Sequence, residues 1–214
     1  MARIVIPAGG VGWRWHDSRQ QSGRLDLPEI KHFAAAPGGE NIIGRQFRQW
    51  SLFGEVFLIS QNPELLKAAN RAAVITVQPQ RCKNLAESLL STKEIWGERT
   101  IISLGDVVFS EAAITLIAGA TEPIQFFGFS GSPTRWTEVF AASFSRDAIG
   151  RMTEALEKSS NGKRGNLTEV LELIQPMHRS GTWSAPIFQN IADGTFDADW
   201  VKSYLEDLEV WSRW

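Results

Sequence analysis

The sequence predicts a three-layer α/β fold, in which a mostly parallel, mixed sheet carries helices on both faces. Short apolar runs rich in β-branched residues alternate with segments whose apolar residues recur at helical spacing, and the alternation continues through the first 120 residues. Glycine, proline or a helix-capping residue stands at most boundaries between these segments. The chain has 214 residues, 43% of them hydrophobic, which suits one domain with a single buried core.

Strand and helix alternate strictly in the first half. Asn62, Pro63 and Glu64 show how the boundaries are recognised, since they stand in the cap, first-turn proline and first-turn acid positions of a helix. Strict alternation favours parallel strands joined by right-handed crossovers. The predicted strands are 3–7, 55–60, 73–77 and 100–104, and the predicted helices are 41–53, one beginning at 62, 84–96 and 110–118.

The second half is less regular. Apolar runs predict strands at 124–128 and 139–144, with a loop at 131–133 between them. The segment 159–165 is the most polar and turn-rich part of the chain, and we expect it to be a surface loop. Helical spacing predicts further helices at 145–157, 167–174 and 199–208.

Charge and cysteine content argue against several classes of function. A formal net charge of -2 supplies no broad attraction for nucleic acid or for anionic membranes. Cys82 is the one cysteine, so no internal disulfide can form, and no Cys/His grouping has zinc spacing. The apolar run 4–6 is too short for a signal-peptide core or a membrane span. We therefore expect a protein of a reducing compartment, by default the cytoplasm.

A glycine-rich segment follows the first predicted strand, at the edge of the sheet where ligands bind in open parallel folds. Gly9, Gly10 and Gly12 allow backbone amides to approach phosphate oxygens, and Arg14 adds a cation with bidentate geometry. The segment is not a P-loop, because no Gly-Lys-Ser/Thr follows, and it lacks the full glycine spacing of the dinucleotide fingerprint. A glycine turn with only a structural role is the alternative.

A carboxylate, Asp106, follows Gly105 directly after the strand predicted at 100–104. Magnesium binds a few carboxylates together with water and substrate phosphate oxygens, so a second acid should converge on the same place. Asp197 and Asp199, just before the last predicted helix, are the candidates, and helix capping is the alternative for Asp199. A strand-end carboxylate contributes little packing, so the sequence predicts that Asp106→Ala leaves the fold intact.

Four patches of the sequence are similar, in the same order, to the motifs of one enzyme family. The run Ile4–Trp15 resembles the loop I-P-x-A-G-x-G-x-R-F. Pro28–Phe33 and Gly38–Ile43 are similar to P-K-x-L/F and G-G-K-P-L-I. Gly105-Asp106 is similar to a metal-binding strand end, and Phe196–Asp199 to a carboxy-terminal D-x-D/T-P-E-D-L segment. The family that these patches resemble is that of the sugar-phosphate nucleotidylyltransferases and their molybdenum-cofactor (MobA-like) relatives.

The sequence departs from the family pattern in three places. Glu29 and Ile30 separate Pro28 from Lys31, where the family has an adjacent Pro-Lys pair. Trp15 stands where phenylalanine is usual, and the terminal segment lacks the Thr-Pro step. The placement of Lys31 is therefore open, and a solvated loop lysine is its alternative interpretation.

The resemblance implies a Rossmann-like fold of the nucleotide-diphospho-sugar transferase type. It also implies an enzyme that moves a nucleoside monophosphate from a triphosphate to a sugar phosphate, or a similar small phosphorylated acceptor, and releases pyrophosphate with Mg2+. Arg14 and Lys31 would have catalytic roles, and Asp106 would bind the metal with Asp197 or Asp199. Residues 1–120 would form the nucleotide-binding half of one domain, and residues 121–214 the acceptor-binding half.

Further site residues follow from the same resemblance. The nucleotide would contact the backbone of the glycine segment, the amide side chains after the third strand and a serine one helical turn later. The acceptor pocket would use aromatic side chains, whose faces stack on sugar rings. The sequence has nine tryptophans, and those outside the pocket would pack in the core or form a subunit contact in a homo-oligomer. The nucleotide-binding residues would be Ala8, Gly9, Gly10, Gly12, Gln78, Asn84 and Ser88, and the acceptor-binding residues Phe127, Trp136, Glu138 and Trp183.

Two other functions compete with nucleotidyl transfer. A glycosyltransferase of related fold would carry Asp-x-Asp after its central strand, whereas this sequence has Asp106-Val107-Val108. A catalytically silent nucleotide-binding protein is the second rival. The expected partners of the nucleotidyltransferase are small molecules, a nucleoside triphosphate and a small phosphorylated acceptor. We expect neither nucleic acid nor a membrane as a partner.

Overall fold

The structure is a computed structural model that describes residues 1–9, 13–129, 137–175, 187–191, 195–198 and 201–211. Short 3-10 helices lie at Lys31–Phe33, Lys93–Ile95 and Arg146–Ala148. None of the described helices is long and apolar enough to cross a membrane.

The strands are β1 (Ala2–Pro7), β2 (Gly54–Ile59), β3 (Ile75–Val77), β4 (Arg99–Ser103), β5 (Val107–Val108), β6 (Ile124–Phe129), β7 (Glu138–Ser145), β8 (Phe188–Asn190) and β9 (Phe196–Asp197). The α-helices are α1 (Trp13–Gln21), α2 (Ile42–Ser51), α3 (Pro63–Arg71), α4 (Leu85–Leu90), α5 (Glu111–Ala118), α6 (Ile149–Ser160), α7 (Leu167–Ile174) and α8 (Val201–Trp211).

Seven strands form one mixed sheet in the order β3-β2-β1-β4-β7-β6-β8. Neighbouring strands are parallel except where β7 pairs, since β7 is antiparallel to both β4 and β6. In this register Ile4 of β1 lies between Val56 of β2 and Ile101 of β4. A second, two-stranded sheet pairs β5 with β9. The prediction of an α/β fold with a mostly parallel, mixed sheet is confirmed.

Helices cover both faces of the large sheet because successive residues of its strands point to opposite sides. In β1, Ile4 and Ile6 belong to a core cluster with residues of α2, α3 and α5. Val5, between them, belongs to a second cluster with residues of α4, α6 and α7. A third, smaller cluster joins α1, α8 and β9 through Trp15, Tyr204 and Phe196.

Several elements differ from those that the sequence predicts. The helix α1 was not predicted, because it is mostly polar, and Trp15 is the one buried residue among its described side chains (14–21). The strands β5, β8 and β9 have two or three residues each, too few for an alternating pattern to be recognised. The helix predicted over 84–96 ends instead at Leu90, where the Thr92 hydroxyl donates to Leu89 O (3.0 Å) and the chain tightens into a 3-10 turn.

Candidate active site

The candidate site lies at the carboxyl edge of the sheet, where β1 and β4 end side by side. Ala8 N donates to Ile59 O (2.9 Å), and Gly105 N donates to Pro7 O (3.3 Å), so the ends of three strands are tied together. A Cβ atom on Gly105 would lie 3.0 Å from Pro7 O and 3.0 Å from Ala8 Cβ. Glycine therefore allows the close approach that brings Asp106 beside the first glycine of the turn after β1.

Lys31 and Asp106 form an ion pair at this edge. Their side chains are 11% and 20% exposed. Burial disfavours the charged form of Asp106, but electrostatic interactions with Lys31 and His32, together with the hydrogen bond from Lys31, outweigh it and lower the pKa of Asp106 below its ordinary value of 3.8. Asp106 is therefore a carboxylate at neutral pH.

Two buried aromatic side chains hold the segment that carries Lys31. Trp15 donates its indole N–H to Pro28 O (2.9 Å). Phenylalanine, the usual residue at this position in the family that the sequence resembles, has no donor and cannot make this bond. Tyr204 of α8 donates to Ala35 O (2.7 Å) and packs edge-on against Trp15, with 5.4 Å between the ring centroids. The two helices thus support the segment from both ends.

Side chains of α2 form a buried hydrogen-bond network that holds the turn carrying Asp106. Gln46 is 0% exposed, and its Nε2 donates to Leu104 O (2.7 Å) and to Val107 O (2.8 Å), the carbonyls on either side of the turn. Ser103 Oγ donates to Gln46 Oε1 (3.0 Å), and Trp50 Nε1 donates to Ser103 Oγ (3.0 Å). A glutamine within the apolar face of a helix is the sequence signal for this network.

The small sheet brings the carboxy-terminal segment to the same turn. Val107 of β5 pairs with Asp197 of β9, and Ala198 N donates to Asp106 O (3.0 Å). The backbone of Asp197 therefore lies beside that of Asp106, while the Asp197 side chain and all of Asp199 lie outside what the structure describes. Among the described residues, no group of three or more His, Cys, Asp or Glu side chains is placed to hold a metal ion.

Two cavities meet at Asp106. The first has a volume of about 390 Å3 and the second about 340 Å3, and both are lined by Asn84, Leu85, Leu104 and Asp106. The first cavity is also lined by Ala8, Gly9, Lys31, His32, Lys83 and Ser88. The second is also lined by Arg14, Glu138, Val139, Arg164, Asn166 and Thr168.

Most of the predicted residues that the structure describes therefore line one of the two cavities, but several use their hydrogen-bonding groups within the protein. Asn84 caps α4 by accepting from Glu87 N (2.9 Å), and its Nδ2 donates to Ser160 O (3.0 Å). Ser88 Oγ donates to Asn84 O (3.1 Å). The amide N–H of Ala8 is likewise bonded to Ile59 O. These residues shape the wall of the first cavity.

Two predicted residues that the structure describes, Phe127 and Gln78, line neither cavity. Phe127 is fully buried in the core on β6, so the predicted contact of its ring with an acceptor does not fit its position. Gln78 is exposed after β3 and is not among the described residues that line either cavity. The predicted site residues Gly10, Gly12, Trp136 and Trp183 lie outside the described residues.

The predicted surface loop 159–165 is shorter in the structure: Ser159 and Ser160 end α6, residues 161–164 are exposed, and Gly165 is buried. One carboxylate of α7 holds this loop in place. Burial opposes ionisation of Glu169, but the hydrogen bonds that its carboxylate accepts lower its pKa below the ordinary value of 4.5. The sequence pattern shows none of these bonds, because they join Glu169 to the loop before α7 and to the end of α6. The donors to Glu169 are Ser159 Oγ (2.9 Å), Lys163 N (3.3 Å), Arg164 N (3.2 Å) and Gly165 N (2.7 Å).

The same loop is docked on the first turn of α4, between the two cavities. Ala86 N donates to Gly165 O (3.0 Å). Gly165 has φ +60°, and a Cβ atom there would lie 2.3 Å from the Asn84 side chain, so glycine is required for conformation and for space. The loop therefore joins the wall of the first cavity to the wall of the second.

The lowered pKa of Glu169 predicts a pH-dependent contribution to stability. Because the folded pKa lies below the unfolded value, the contribution is present above about pH 4.5 and is lost as the pH falls through the folded pKa. We expect the difference in free energy of unfolding between the wild type and Glu169→Gln to be constant near neutral pH and to shrink below pH 4.5. Urea unfolding from pH 7 to pH 3 measures it, and a difference that widens in acid would contradict the assignment.

No protein-family model matches the chain, and no curated protein matches it by sequence.

Several solved structures match it over nearly the whole of both chains. A nucleotidyl transferase from Methanothermobacter is 17% identical with a TM-score of 0.70, and the alignment covers 100% of this chain and 98% of that one. The CTP:phosphocholine cytidylyltransferase from Streptococcus pneumoniae is 11% identical with a TM-score of 0.62, covering 98% of each chain. The inositol-1-phosphate CTP transferase from T. maritima is 14% identical with a TM-score of 0.62, covering 98% of this chain and 95% of that one. The chain therefore has the α/β fold found in these nucleotidyl and cytidylyl transferases.

Proposed function

We propose that the protein is a nucleotidyltransferase that moves a nucleoside monophosphate from a triphosphate to a small phosphorylated acceptor, such as a sugar phosphate, and releases pyrophosphate. The observation that carries the proposal is the position of the Lys31–Asp106 pair where two cavities meet. Nucleotidyl transfer brings together two polyanions, so it needs two adjoining pockets with cations and a metal-binding carboxylate at their junction. The shared fold supports this choice.

We assign the first cavity to the triphosphate and the second to the acceptor. Most of the first cavity comes from residues 1–120, including Gly9 after β1, whereas the second draws Glu138, Arg164 and Thr168 from residues 121–214. Ligands of open parallel sheets bind beyond the carboxyl ends of the strands, and the first cavity lies there. This assignment treats the chain as one domain with a nucleotide half and an acceptor half.

The reaction that fits these pockets is an in-line displacement at phosphorus. A phosphate oxygen of the acceptor attacks the α-phosphorus of the triphosphate, and the bond to the β-phosphate oxygen breaks to release pyrophosphate. No protein nucleophile is required, so the protein acts by positioning and by neutralising charge. In this proposal Lys31 lies near the transferring phosphate, and Arg14, which lines the second cavity, contacts phosphate oxygens at the junction.

The residues at the junction fit a magnesium ion. Asp106 is ionised and partly exposed, and the pairing of β5 with β9 brings the backbone of Asp197 beside that of Asp106. In this proposal Asp106 and one acid of the carboxy-terminal segment, Asp197 or Asp199, would be the ligands. Two carboxylates would leave coordination positions for water and for phosphate oxygens, which is the ligand set that Mg2+ prefers. When bound there, Mg2+ would neutralise phosphate charge as it develops.

Pyrophosphate release tests the proposal. The protein is incubated with Mg2+, each of the four nucleoside triphosphates and a panel of phosphate monoesters, including glucose 1-phosphate, inositol 1-phosphate and phosphocholine. We expect release with one triphosphate only when a matching monoester is present. Cleavage of a nucleotide-sugar without pyrophosphate release would select the glycosyltransferase instead, and triphosphate binding without turnover would select the silent binding protein.

Arg14 supplies a second test, because it follows the glycine segment on α1 and lines the second cavity, as Asp106 also does. We expect Arg14→Ala to weaken triphosphate binding by roughly 1.5–3 kcal/mol, the value of a hydrogen bond to a charged group. Titration calorimetry with the triphosphate selected by the pyrophosphate assay measures the loss. An affinity equal to that of the wild type would remove Arg14 from the triphosphate site.

A further inference from the structure

Arg164 is a cation that the acceptor half contributes to the second cavity. It lies in the loop before α7, its side chain is 43% exposed, and it lines the cavity together with Asn166 and Thr168. The cavity is also lined by the acidic residues Asp106 and Glu138. An anionic acceptor placed beside these acids therefore needs positive charge on the same wall.

The position of Arg164 is set before any ligand binds. Its backbone N–H donates to Glu169 (3.2 Å), and its guanidinium donates to Glu172, one turn further along α7. The neighbouring residue, Gly165, is bonded to α4 through Ala86. An arginine held at both backbone and side chain loses less conformational entropy when it binds a ligand than a free surface arginine does.

The ion pair with Glu172 leaves donors on the guanidinium. Arginine has five N–H donors in a planar fork, and one carboxylate cannot use all of them. The remaining donors match the oxygens of a phosphate group, to which arginine binds in a bidentate manner. The pair with Glu172 thus orients the side chain and leaves it able to bind an anion.

We propose that Arg164 binds the phosphate of the acceptor in the second cavity, and that Glu169 is the positioning residue that presents it. The inference rests on the proposed function, since it takes the second cavity as the acceptor pocket. It adds a residue outside the patches of family resemblance and assigns a role to the loop that joins the two cavities.

Binding measurements on the full chain test the role of Arg164 separately from turnover. Glucose 1-phosphate, inositol 1-phosphate and phosphocholine are each titrated into protein that holds Mg2+ and an α,β-methylene triphosphate. We expect at least one monoester to bind the wild type, and Arg164→Gln to weaken that binding about tenfold or more while triphosphate affinity stays within twofold. Arg151→Gln, an equal change of charge on the exposed side of α6, is the control and should bind as the wild type does.

Three outcomes would overturn the inference: unchanged monoester affinity in Arg164→Gln, equal losses for monoester and triphosphate, or no monoester binding by the wild type. The pyrophosphate assay reports on the proposed function independently. A protein that binds a monoester through Arg164 but releases no pyrophosphate with any substrate pair would lose the proposed function and keep this anion site.

A double-mutant cycle tests the positioning role of Glu169. If Glu169 acts by presenting Arg164, Glu169→Gln should weaken monoester binding in the wild type and should have no further effect in Arg164→Gln. A purely structural contribution of Glu169 would give the same loss in both backgrounds, which would refute the positioning role. Circular dichroism of each variant at pH 7 establishes that the comparison is made between folded proteins.

Discussion

Replacing Asp106 with alanine is expected to abolish pyrophosphate release and to lower the free energy of unfolding by about 3 kcal/mol. The carboxylate stands where the two cavities meet, so its loss removes the proposed metal ligand from the junction. The stability loss arises because Lys31, only 11% exposed, would keep its charge without the Asp106 carboxylate beside it. Removing one member of a buried ion pair costs more than the net value of the pair.

Substitution of Lys31, alone and together with Asp106, separates the loss of turnover from the loss of stability. Lys31→Met should also destabilise the fold, and Asp106→Ala combined with Lys31→Met should be less destabilised than the sum of the two single variants. Turnover should be lost in all three. Urea unfolding and the pyrophosphate assay measure the two effects, and a cycle with additive stability losses, or an active Asp106→Ala, would contradict the roles given to this pair.

This stability loss differs from what the sequence predicts for Asp106. From the sequence, the residue is a strand-end acid with little packing, so its removal should leave the fold intact. The structure places Lys31, distant in the sequence, against it. Local patterns reveal which residues end a strand, but they do not reveal which side chain from another segment will reach them.

The fold itself was largely predictable because it depends on repeating patterns. The strand β1 is an apolar run closed by glycine, and α2 is recognised from its helical spacing. In the structure Asn41 caps α2 by accepting from Gly44 N (2.8 Å). The strands β5 and β9 were missed because two residues form no pattern. Their pairing nevertheless brings the backbone of the carboxy-terminal segment beside the turn that carries Asp106, so the least predictable elements contribute to the surroundings of the candidate site.

The same limit applies to the residues that support the site. Gly9 and Asp106 could be predicted because they follow strands, and Lys31 because its segment resembles a family motif. Gln46 and Glu169 form most of their hydrogen bonds with backbone atoms. Every residue has these atoms, so the sequence carries no signal for such contacts. Gln46 reaches Leu104 across 58 positions of the chain, a contact that only the packing of α2 against β4 creates.

Gln46 gives the second large expected effect. Gln46→Leu keeps the size of the side chain but removes three hydrogen bonds, those to the carbonyls of Leu104 and Val107 and the one from the Ser103 hydroxyl. Ser103 Oγ still accepts from Trp50 Nε1, and Leu104 O still accepts from Val107 N (3.4 Å). Three lost bonds of about 1 kcal/mol each predict that the free energy of unfolding falls by about 3 kcal/mol. The turn carrying Asp106 would also shift, and a displacement of about 1 Å at a reacting centre costs about 100-fold in rate. The loss should appear in kcat, with the affinity for triphosphate changed less.

Gln49 is the matched control, because it is the same residue type on the same helix and is equally buried. Its Nε2 donates to Phe109 O (3.2 Å) and to Glu111 Oε1 (3.1 Å), beyond the turn that carries Asp106. Gln49→Leu should therefore destabilise the fold while leaving kcat close to the wild-type value at a temperature where both variants are folded. If the two variants lose kcat equally, the bonds from Gln46 have no special role in placing Asp106. If Gln46→Leu alone loses kcat, α2 acts as the support that holds the site carboxylate at the junction of the two cavities.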